Sequence, residues 1–285
     1  MSESRLPATD SSDEAFLRFV QAHPRLFVLT GAGISTASGI PDYRDRDGGW
    51  KRAPPITLQA FVGNPLARSR YWARSLVGWR RFGVARPNAA HRALAALERE
   101  GRIALLVTQN VDGLHQAAGH EAVVDLHGRL DRVRCLGCER RQSRAAFQQE
   151  LERRNPEWLA FDALDAPDGD ADLEGLAFER FVVPDCDDCG GLLKPDVVFF
   201  GENVPRERVE RAAQALAESD AMLVVGSSLM VYSGYRFARA AALAGTPIAA
   251  INLGRTRADD LLALKVEADA AEALSRVVGQ EPLTA

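Results

Sequence analysis

The sequence of 285 residues predicts an α/β protein in which a doubly wound parallel sheet carries a smaller second lobe. Three observations lead to this prediction. Short apolar runs alternate with helical stretches, a glycine-containing turn follows the first run, and two pairs of cysteines interrupt the alternation. Strands that alternate with helices form a parallel sheet with helices on both faces. The hydrophobic fraction of 46% and the charged fraction of 26% are ordinary for a globular chain.

The predicted strands and helices follow from length, composition and capping residues. A Ser-x-x-Glu pair at Ser11 and Glu14 predicts the start of a helix that runs through Val20. Further helices are predicted from Asn88 to Gly101 and from Pro205 to Ser219. Six apolar runs have the length and β-branched content of buried parallel strands, namely 25–30, 103–108, 122–126, 196–200, 221–226 and 247–252.

Two segments break the alternation and predict the smaller lobe. Residues 45–86 carry three of the four tryptophans and are typical of helices. Residues 131–193 hold both cysteine pairs, with a polar stretch at 165–174 that predicts a mobile loop. We therefore predict an N-terminal tail and helix (1–24), and a discontinuous Rossmann-like nucleotide-binding domain (25–44, 87–130 and 194–285). The helical insertion 45–86 and the zinc-binding insertion 131–193 would form the small lobe.

Charge and hydropathy exclude some classes of partner. The formal net charge of −4 gives no indication of a nucleic-acid-binding or anionic-membrane surface. No apolar stretch approaches the ~18 residues needed to cross a bilayer, and the N-terminus lacks an apolar signal core. The expectation is a cytoplasmic enzyme without nucleic-acid or membrane partners; the sequence leaves its oligomeric state open.

The four cysteines form two Cys-x-x-Cys pairs, Cys135/Cys138 and Cys186/Cys189. Each pair lets two thiolates face one tetrahedral ion. The alternatives are structural disulfides or a redox dithiol, which a cytosolic chain of this size and the presence of two pairs disfavour. The sequence therefore predicts one structural Zn²⁺. Four thiolate ligands leave no open coordination position, so the zinc would not be catalytic.

Glycine and small polar residues follow several of the predicted strands. The Gly31-Ala32-Gly33 turn resembles the start of a dinucleotide-binding unit, but Thr36 stands where a third glycine is expected. A lone glycine turn is weak evidence. Polar residues at four further strand ends strengthen it, because ligands bind at the carboxyl edge of open α/β sheets. These further segments are 108–115, 125–128, 226–229 and 251–254.

Taken in order, these segments resemble the sirtuin (Sir2) family, and most closely its class II branch. The similarity covers roughly residues 25–255, where a chance occurrence of so many motifs is implausible. The motifs are Gly31-Ala-Gly-Ile-Ser-Thr-Ala-Ser-Gly-Ile-Pro-Asp-Tyr-Arg44, Thr108-Gln-Asn-Val-Asp-Gly-Leu-His115, Leu126-His-Gly128, both cysteine pairs, Lys194-Pro-Asp-Val-Val-Phe-Phe-Gly-Glu202, Gly226-Ser-Ser-Leu229 and Asn252-Leu-Gly254.

The resemblance implies a protein that binds NAD and breaks its nicotinamide–ribose bond. It implies that Ala32 and Gly33 approach the pyrophosphate, that Tyr43 shields the reacting ribose carbon, and that Arg44 contacts the phosphates. Gln109 and Asn110 would act at the ribose and its ordered water. The cofactor-binding set implied is Gly31, Ala32, Gly33, Ser35, Asp42, Tyr43, Arg44, Gln109, Asn110, Val111, Asp112, Gly226, Ser227, Ser228, Asn252, Leu253, Gly254 and Ala270.

His127 is the candidate general base among the five histidines. It ends a predicted strand, and Gly128 leaves the backbone room to turn and direct the imidazole into the cleft. An imidazole pKa near neutrality suits proton removal from a ribose hydroxyl. The family's catalytic histidine occupies this position. The other four histidines favour structural or surface roles.

The activity that the resemblance implies is NAD-dependent deacylation of protein lysines. The acyl oxygen attacks the ribose carbon as nicotinamide leaves, His127 helps to deprotonate the ribose diol, and water completes transfer of the acyl group to ADP-ribose. The acyl-lysine peptide would pair as an added strand beside Val198, Phe200 and Gly201. Ser233-Gly234 departs from the proline often found there, which leaves the peptide register open.

Several alternatives stay open. A mono-ADP-ribosyltransferase would use the same cofactor contacts and bond cleavage, whereas a non-catalytic NAD- or zinc-binding module would not need His127. The missing third glycine disfavours a Rossmann oxidoreductase.

Tyr71 and Arg74 share one helix face and resemble the pair with which desuccinylating sirtuins bind acidic acyl groups. They are equally explained as a core aromatic residue and a surface charge.

Overall fold

The computed structural model describes residues 12–52, 54–161, 171, 173 and 175–278. The strands of its larger sheet are β1 Leu26–Thr30, β2 Ile103–Thr108, β3 Val123–Asp125, β7 Ala221–Val225, β8 Ile248–Ile251 and β9 Leu264–Val266. They lie in the order β3-β2-β1-β7-β8-β9, with every neighbouring pair parallel. The prediction of a parallel sheet is confirmed. The strand order reverses between β1 and β7, which is where ligands bind in such sheets.

Helices cover both faces of this sheet, and each face has its own apolar cluster. Phe16, Leu94 and Leu274 pack beneath one face, while Leu216 and Phe237 pack against the other. These residues lie on amphipathic helices, whose apolar sides are buried against the sheet. The helices are α1 Ser12–Ala22, α4 Ala89–Arg99 and α9 Ala270–Ser275 on the first face, and α7 Arg206–Ala217 and α8 Tyr232–Ala244 on the second.

A second, antiparallel sheet lies beside the parallel one. Its strands are β4 Gly128–Cys135, β5 Arg141–Ser143 and β6 Leu193–Val197, in the order β5-β4-β6. It packs with three helices around Trp72, which is fully buried and contacts Phe61 and Phe147. This cluster contains the apolar side chains of the helical segment and of the segment with the cysteines. The three helices are α2 Leu58–Gly63, α3 Pro65–Phe82 and α6 Arg144–Arg154.

The structure corrects the prediction for residues 196–200. The strand here is β6, which pairs antiparallel with β4 and does not belong to the parallel sheet. β6 is an edge strand, where Pro195 is tolerated because no ladder bond needs its missing N–H. The short edge strand β9 was not predicted, and a short helix, α5 (Leu114–Ala117), follows β2.

The remaining predictions concern segments that the structure describes only in part. Ser11 of the capping box and most of the 165–174 stretch lie outside the described residues. Within the described part of the chain, no helix is both long and apolar enough to span a bilayer. The division of the chain into domains at the predicted boundaries stays a prediction.

Candidate active site

A cavity of about 400 Å³ opens at the carboxyl edge of the parallel sheet, where β1 and β7 meet. The segments that follow β1, β2, β7 and β8 converge there, as the polar strand ends predicted. Most of the predicted site residues line this cavity: Gly31, Ala32, Gly33, Ser35, Asp42, Tyr43, Arg44, Gln109, Asn110, Val111, Asp112, His127, Val198, Phe200, Gly201, Gly226, Ser227, Ser228, Asn252 and Leu253.

The glycine turn after β1 is held against the turn after β7. The Gly31 N–H donates to the Val225 carbonyl (3.1 Å), and the Gly33 N–H donates to the Gly226 carbonyl (2.8 Å). A Cβ on Gly33 would lie 2.9 Å from the Gly226 oxygen. Glycine at 33 is therefore required by the neighbouring turn, whether or not a phosphate also approaches. The chain continues as a 3₁₀ helix, Ala32–Ser38, and not as the long α-helix of a dinucleotide-binding unit.

The segment after this helix forms one wall of the cavity through aromatic and cationic side chains. The Arg44 guanidinium lies 3.9 Å from the centre of the Trp50 ring and donates to the Gly48 carbonyl (2.7 Å). The Tyr43 ring meets Trp50 edge-on, with 6.1 Å between centroids. Asp42 forms an ion pair with Lys51. These contacts fix Tyr43 and Arg44 within the cavity wall.

Asp112 is anchored by hydrogen bonds from two neighbouring segments. Its carboxylate accepts hydrogen bonds from the Ser35 hydroxyl (2.7 Å) and the Leu114 N–H (2.9 Å). Asn110 donates to the Ser35 hydroxyl oxygen (3.0 Å) and to the Gly31 carbonyl (3.1 Å). Burial raises the pKa of Asp112, and these hydrogen bonds oppose the rise. The network fixes the segment after β2 against the glycine turn.

His127 is held between two elements at the floor of the cavity. Its Nδ1 lies 2.8 Å from the Gln109 carbonyl, and its Nε2 lies 2.7 Å from the Ser233 hydroxyl. Burial and, to a smaller extent, the positive charge of Arg208 lower the pKa of His127 to about 4, against the opposing effect of the Gln109 carbonyl. The sequence predicted a pKa near neutrality, so the structure corrects this expectation. A neutral imidazole at physiological pH can accept a proton.

Gln109 links the imidazole to the turn after β7. Its side-chain amide donates to the Ser227 hydroxyl (2.7 Å) and the Thr30 carbonyl (3.3 Å), while its backbone carbonyl faces His127. The residue whose carbonyl orients the imidazole is therefore fixed to the end of β1 and to the turn after β7.

The segment after β6 is closed by a buried ion pair. Lys194, which is fully buried, donates to Glu202 (2.9 Å), and Glu202 also accepts the Phe199 N–H (2.9 Å). Burial lowers the pKa of Lys194, and Glu202 opposes the shift. The Val198 N–H donates to the His127 carbonyl (2.7 Å). This loop places Val198, Phe200 and Gly201 in the cavity wall.

Four of the predicted site residues do not line the cavity. Gly254 lies against Arg46, with 2.4 Å between a Cβ at position 254 and the Arg46 carbonyl, and Ala270 is buried in the core at the start of α9. The Tyr71 ring packs against Phe61 and Phe199 (5.5 and 5.3 Å between centroids). Arg74 is likewise not among the lining residues. Tyr71 therefore has the core-aromatic environment of the alternative interpretation.

Residues outside the predicted set also line the cavity, among them Phe82, Ser233 and Arg236. Phe82 ends α3, and its distance along the chain from the other site residues left no local signal. Ser233 could have been recognised from the sequence, because it stands where the family that the chain resembles often has a proline.

The four cysteine sulfurs form a cluster in which all four lie within 4.8 Å of one another. The Sγ atoms of Cys135 and Cys189 are 3.4 Å apart, and those of Cys138 and Cys186 are 3.8 Å apart. Tetrahedral Zn–S bonds of about 2.3 Å require sulfurs separated by about 3.8 Å. N–H groups of Cys138 and Gly137 lower the pKa of Cys135 to about 7, while hydrogen bonds among the thiols raise the pKa of Cys189 to about 12. The cluster fits one structural zinc ion.

The fold and the cavity define a class: an α/β nucleotide-binding protein with a histidine at the ligand site and a separate four-cysteine metal centre. Comparison with known proteins identifies the family. The model of the Sir2 family matches residues 31–233. The chain belongs to the Sir2 (sirtuin) family.

Relatives and solved structures agree with this assignment. A protein of Xanthomonas campestris pv. campestris (strain 8004), named NAD-dependent protein deacetylase, is 68% identical over 268 residues, which cover 94% of this chain and 92% of the relative. A relative of the same name from Bordetella bronchiseptica is 67% identical over 265 residues (93% and 97%). A solved Sir2 complex with a p53 peptide and NAD⁺ has a TM-score of 0.73 and 32% identity, covering 93% of this chain and 96% of that one.

Proposed function

We propose that this protein is an NAD-dependent protein lysine deacetylase that transfers the acyl group to ADP-ribose and releases nicotinamide. The observation that carries the proposal is the His127 imidazole. It is neutral, fixed by the Gln109 carbonyl, and located on the cavity at the switch point of the sheet. Relatives at 67–68% identity bear the name of this activity. A solved Sir2 neighbour holds a deacetylated peptide and an acetylated ADP-ribose.

The cavity contains suitable groups for NAD around its whole perimeter. The turns at Gly31–Gly33 and Gly226–Ser228 would receive the pyrophosphate and adenosine side, and Arg44 would contact phosphate. Asp112 and Asn110 would hold the nicotinamide end. NAD supplies an electrophilic ribose carbon once nicotinamide leaves. Tyr43, Phe82 and Phe199 would exclude water from that carbon.

His127 would act as the general base at Nε2. Its Nδ1–H donates to the Gln109 carbonyl, so Nε2 is the atom that can accept a proton from a ribose hydroxyl. The substrate would be an extended acyl-lysine peptide beside Val198, Phe200 and Gly201, added as a strand. Solved neighbours hold acetylated and propionylated peptides. A preference for acidic acyl groups through Tyr71 and Arg74 stays a prediction without support from the cavity lining.

Substitution of His127 tests the function. His127→Gln should lower kcat/KM for NAD-dependent deacetylation by ~10²-fold or more, because a positioned general base contributes that much. NAD binding measured by calorimetry should persist. His23→Gln, which removes a histidine of the α1–β1 connection, is the matched control and should retain activity. Near-native deacetylation by His127→Gln would reject this role.

A second readout separates the alternative activity. Nicotinamide release that needs no acylated peptide and labels an unmodified protein with ADP-ribose would identify the chain as an ADP-ribosyltransferase. We expect release to depend on the acyl peptide and to match the lysine set free.

A further inference from the structure

The side chain of Ser233 contacts the imidazole nitrogen that the proposed chemistry uses. Ser233 lies in the first turn of α8, half-buried, with its Oγ 2.7 Å from His127 Nε2. The opposite nitrogen, Nδ1, faces the Gln109 carbonyl at 2.8 Å. A carbonyl only accepts hydrogen bonds, so Nδ1 carries the hydrogen of the neutral ring. Nε2 is then the acceptor, and the Ser233 hydroxyl must donate to it.

In the ligand-free enzyme, the Ser233 hydroxyl therefore occupies the nitrogen that would act as the base. An imidazole nitrogen without hydrogen has one in-plane lone pair. A ribose hydroxyl that gives its proton to Nε2 needs that same lone pair. The Ser233 hydroxyl must therefore turn away, through rotation about χ1, before His127 can act. Such a rotation moves between staggered rotamers and leaves the helix in place.

We propose that Ser233 is a positioning residue: its hydroxyl occupies Nε2 of His127 in the ligand-free enzyme, fixes the Nδ1–H tautomer and ring orientation, and yields to the ribose hydroxyl. The proposal rests on the assignment of His127 as the base.

The residue after Ser233 explains why α8 can reach the imidazole. A Cβ on Gly234 would lie 2.5 Å from Oε1 of Gln109, so a larger residue there would displace the Gln109 side-chain amide. Gln109 in turn provides the carbonyl at Nδ1. The dipeptide Ser233-Gly234 thus contacts one imidazole nitrogen directly and adjoins the residue that holds the other. A proline at position 233 has no side-chain donor, so it could not make this contact.

The hydrogen bond also acts on the basicity of His127. A donor to Nε2 stabilises the neutral ring, in the same direction as burial and as the positive charge of Arg208 from α7. Asp112, Glu202 and Arg236 face the same cavity from the segment after β2, the segment after β6 and α8. Loss of the Ser233 hydroxyl should raise the pKa of His127 by about 0.5 to 1 pH unit, the shift expected for one net hydrogen bond.

Nitrogen NMR of the histidine rings in the ligand-free enzyme at pH 7.5 tests the proposal without requiring activity. The His127 signals are assigned by their loss in His127→Gln. Ser233→Ala should move the Nε2 resonance toward that of an unbonded ring nitrogen, and Ser233→Thr, which keeps a hydroxyl, should preserve the native position. In Ser233→Ala the acid limb of kcat/KM should move to higher pH by the same 0.5 to 1 unit.

The outcomes distinguish this proposal from the proposed function. An Nε2 resonance that is identical in the native enzyme and Ser233→Ala would overturn the role of Ser233, even if deacetylation proceeds. Full activity of His127→Gln would instead reject His127 as base. A thermal melt of each variant verifies that its fold is intact; if Ser233→Ala melts early, Ser233→Cys gives the same NMR comparison with a weaker donor.

Discussion

At the scale of single residues, Gly128 determines where the His127 imidazole lies. Gly128 has φ +84°, and a Cβ there would lie 2.1 Å from the Asp196 carbonyl oxygen. Alanine would add the cost of a left-handed conformation, about 1–2 kcal/mol, to a backbone clash that β4 or β6 must relieve. We expect Gly128→Ala to lower the free energy of unfolding by about 3 kcal/mol or more and to reduce deacetylation.

A second glycine provides the control for this substitution. Gly101 also has positive φ (+74°), but a Cβ on it would have no heavy atom within 4 Å. Gly101→Ala should therefore lose only the conformational part, about 1 kcal/mol, and keep its activity. Urea unfolding of both variants measures the difference. Equal losses of stability would show that the contact with Asp196 is unimportant.

At the scale of elements, the cysteine cluster holds the antiparallel sheet together. Cys135 is the last residue of β4 and pairs with Leu193, the first residue of β6, while Cys186 and Cys189 lie just before β6. A metal that binds all four sulfurs therefore closes the end of the β4–β6 ladder. Since β6 leads into the loop with Val198 and Phe200, the metal also supports one wall of the active site without touching it.

Removal of the zinc should unfold this sheet before the parallel one. Cys189→Ser should eliminate zinc from the purified protein and increase hydrogen exchange in β4 and β6 far more than in β1 and β7, because metal binding is coupled to folding. Asp187→Asn changes an exposed neighbour inside the same cysteine pair and should retain one zinc per chain. Elemental analysis and exchange mass spectrometry measure both. A folded, active Cys189→Ser enzyme without metal would contradict the prediction.

The elements also show which features the sequence could reveal. Strands β1, β2 and β7 are buried on both faces, so their continuous apolar runs predicted them directly. The run at 196–200 is also mostly apolar. The strand in this region, however, pairs with β4, which lies far earlier in the chain, so the local sequence does not reveal the pairing. The position of His127 was predictable from a strand end followed by glycine. Its contact with Ser233 was not, because 106 positions separate the two residues.

At the scale of the whole molecule, a cluster of three buried histidines, His91, His115 and His120, connects the helical layer to the end of β1. The His91 and His115 rings are 4.8 Å apart and those of His115 and His120 5.2 Å apart, and all three residues are buried. His115 Nε2 lies 2.9 Å from the hydroxyl of Thr30, the last residue of β1. Burial lowers the pKa of each histidine, to about 4 for His91, whereas Glu98 partly opposes the shift at His120.

These shifts predict loss of stability in acid. Because the folded-state pKa of His91 lies below its ordinary value of 6.5, the unfolded chain binds more protons in between. The free energy of unfolding should therefore be independent of His91 above about pH 7 and fall as the pH drops from about 6.5 to 4. His91 alone would contribute about 3 kcal/mol to this fall. The loss would extend to the end of β1, since His115 contacts Thr30.

A substitution at His91 isolates this contribution. The His91 side chain accepts the Asn88 N–H in the capping box of α4, and glutamine can accept the same bond without titrating in this range. In urea unfolding at pH 7.5, 6.5, 5.5 and 4.5, His91→Gln should give a shallower decline than the native protein, with the curves converging in acid. His23→Gln removes a histidine outside the cluster and is the control. If both variants flatten the decline equally, the histidine cluster is not the source of the acid sensitivity.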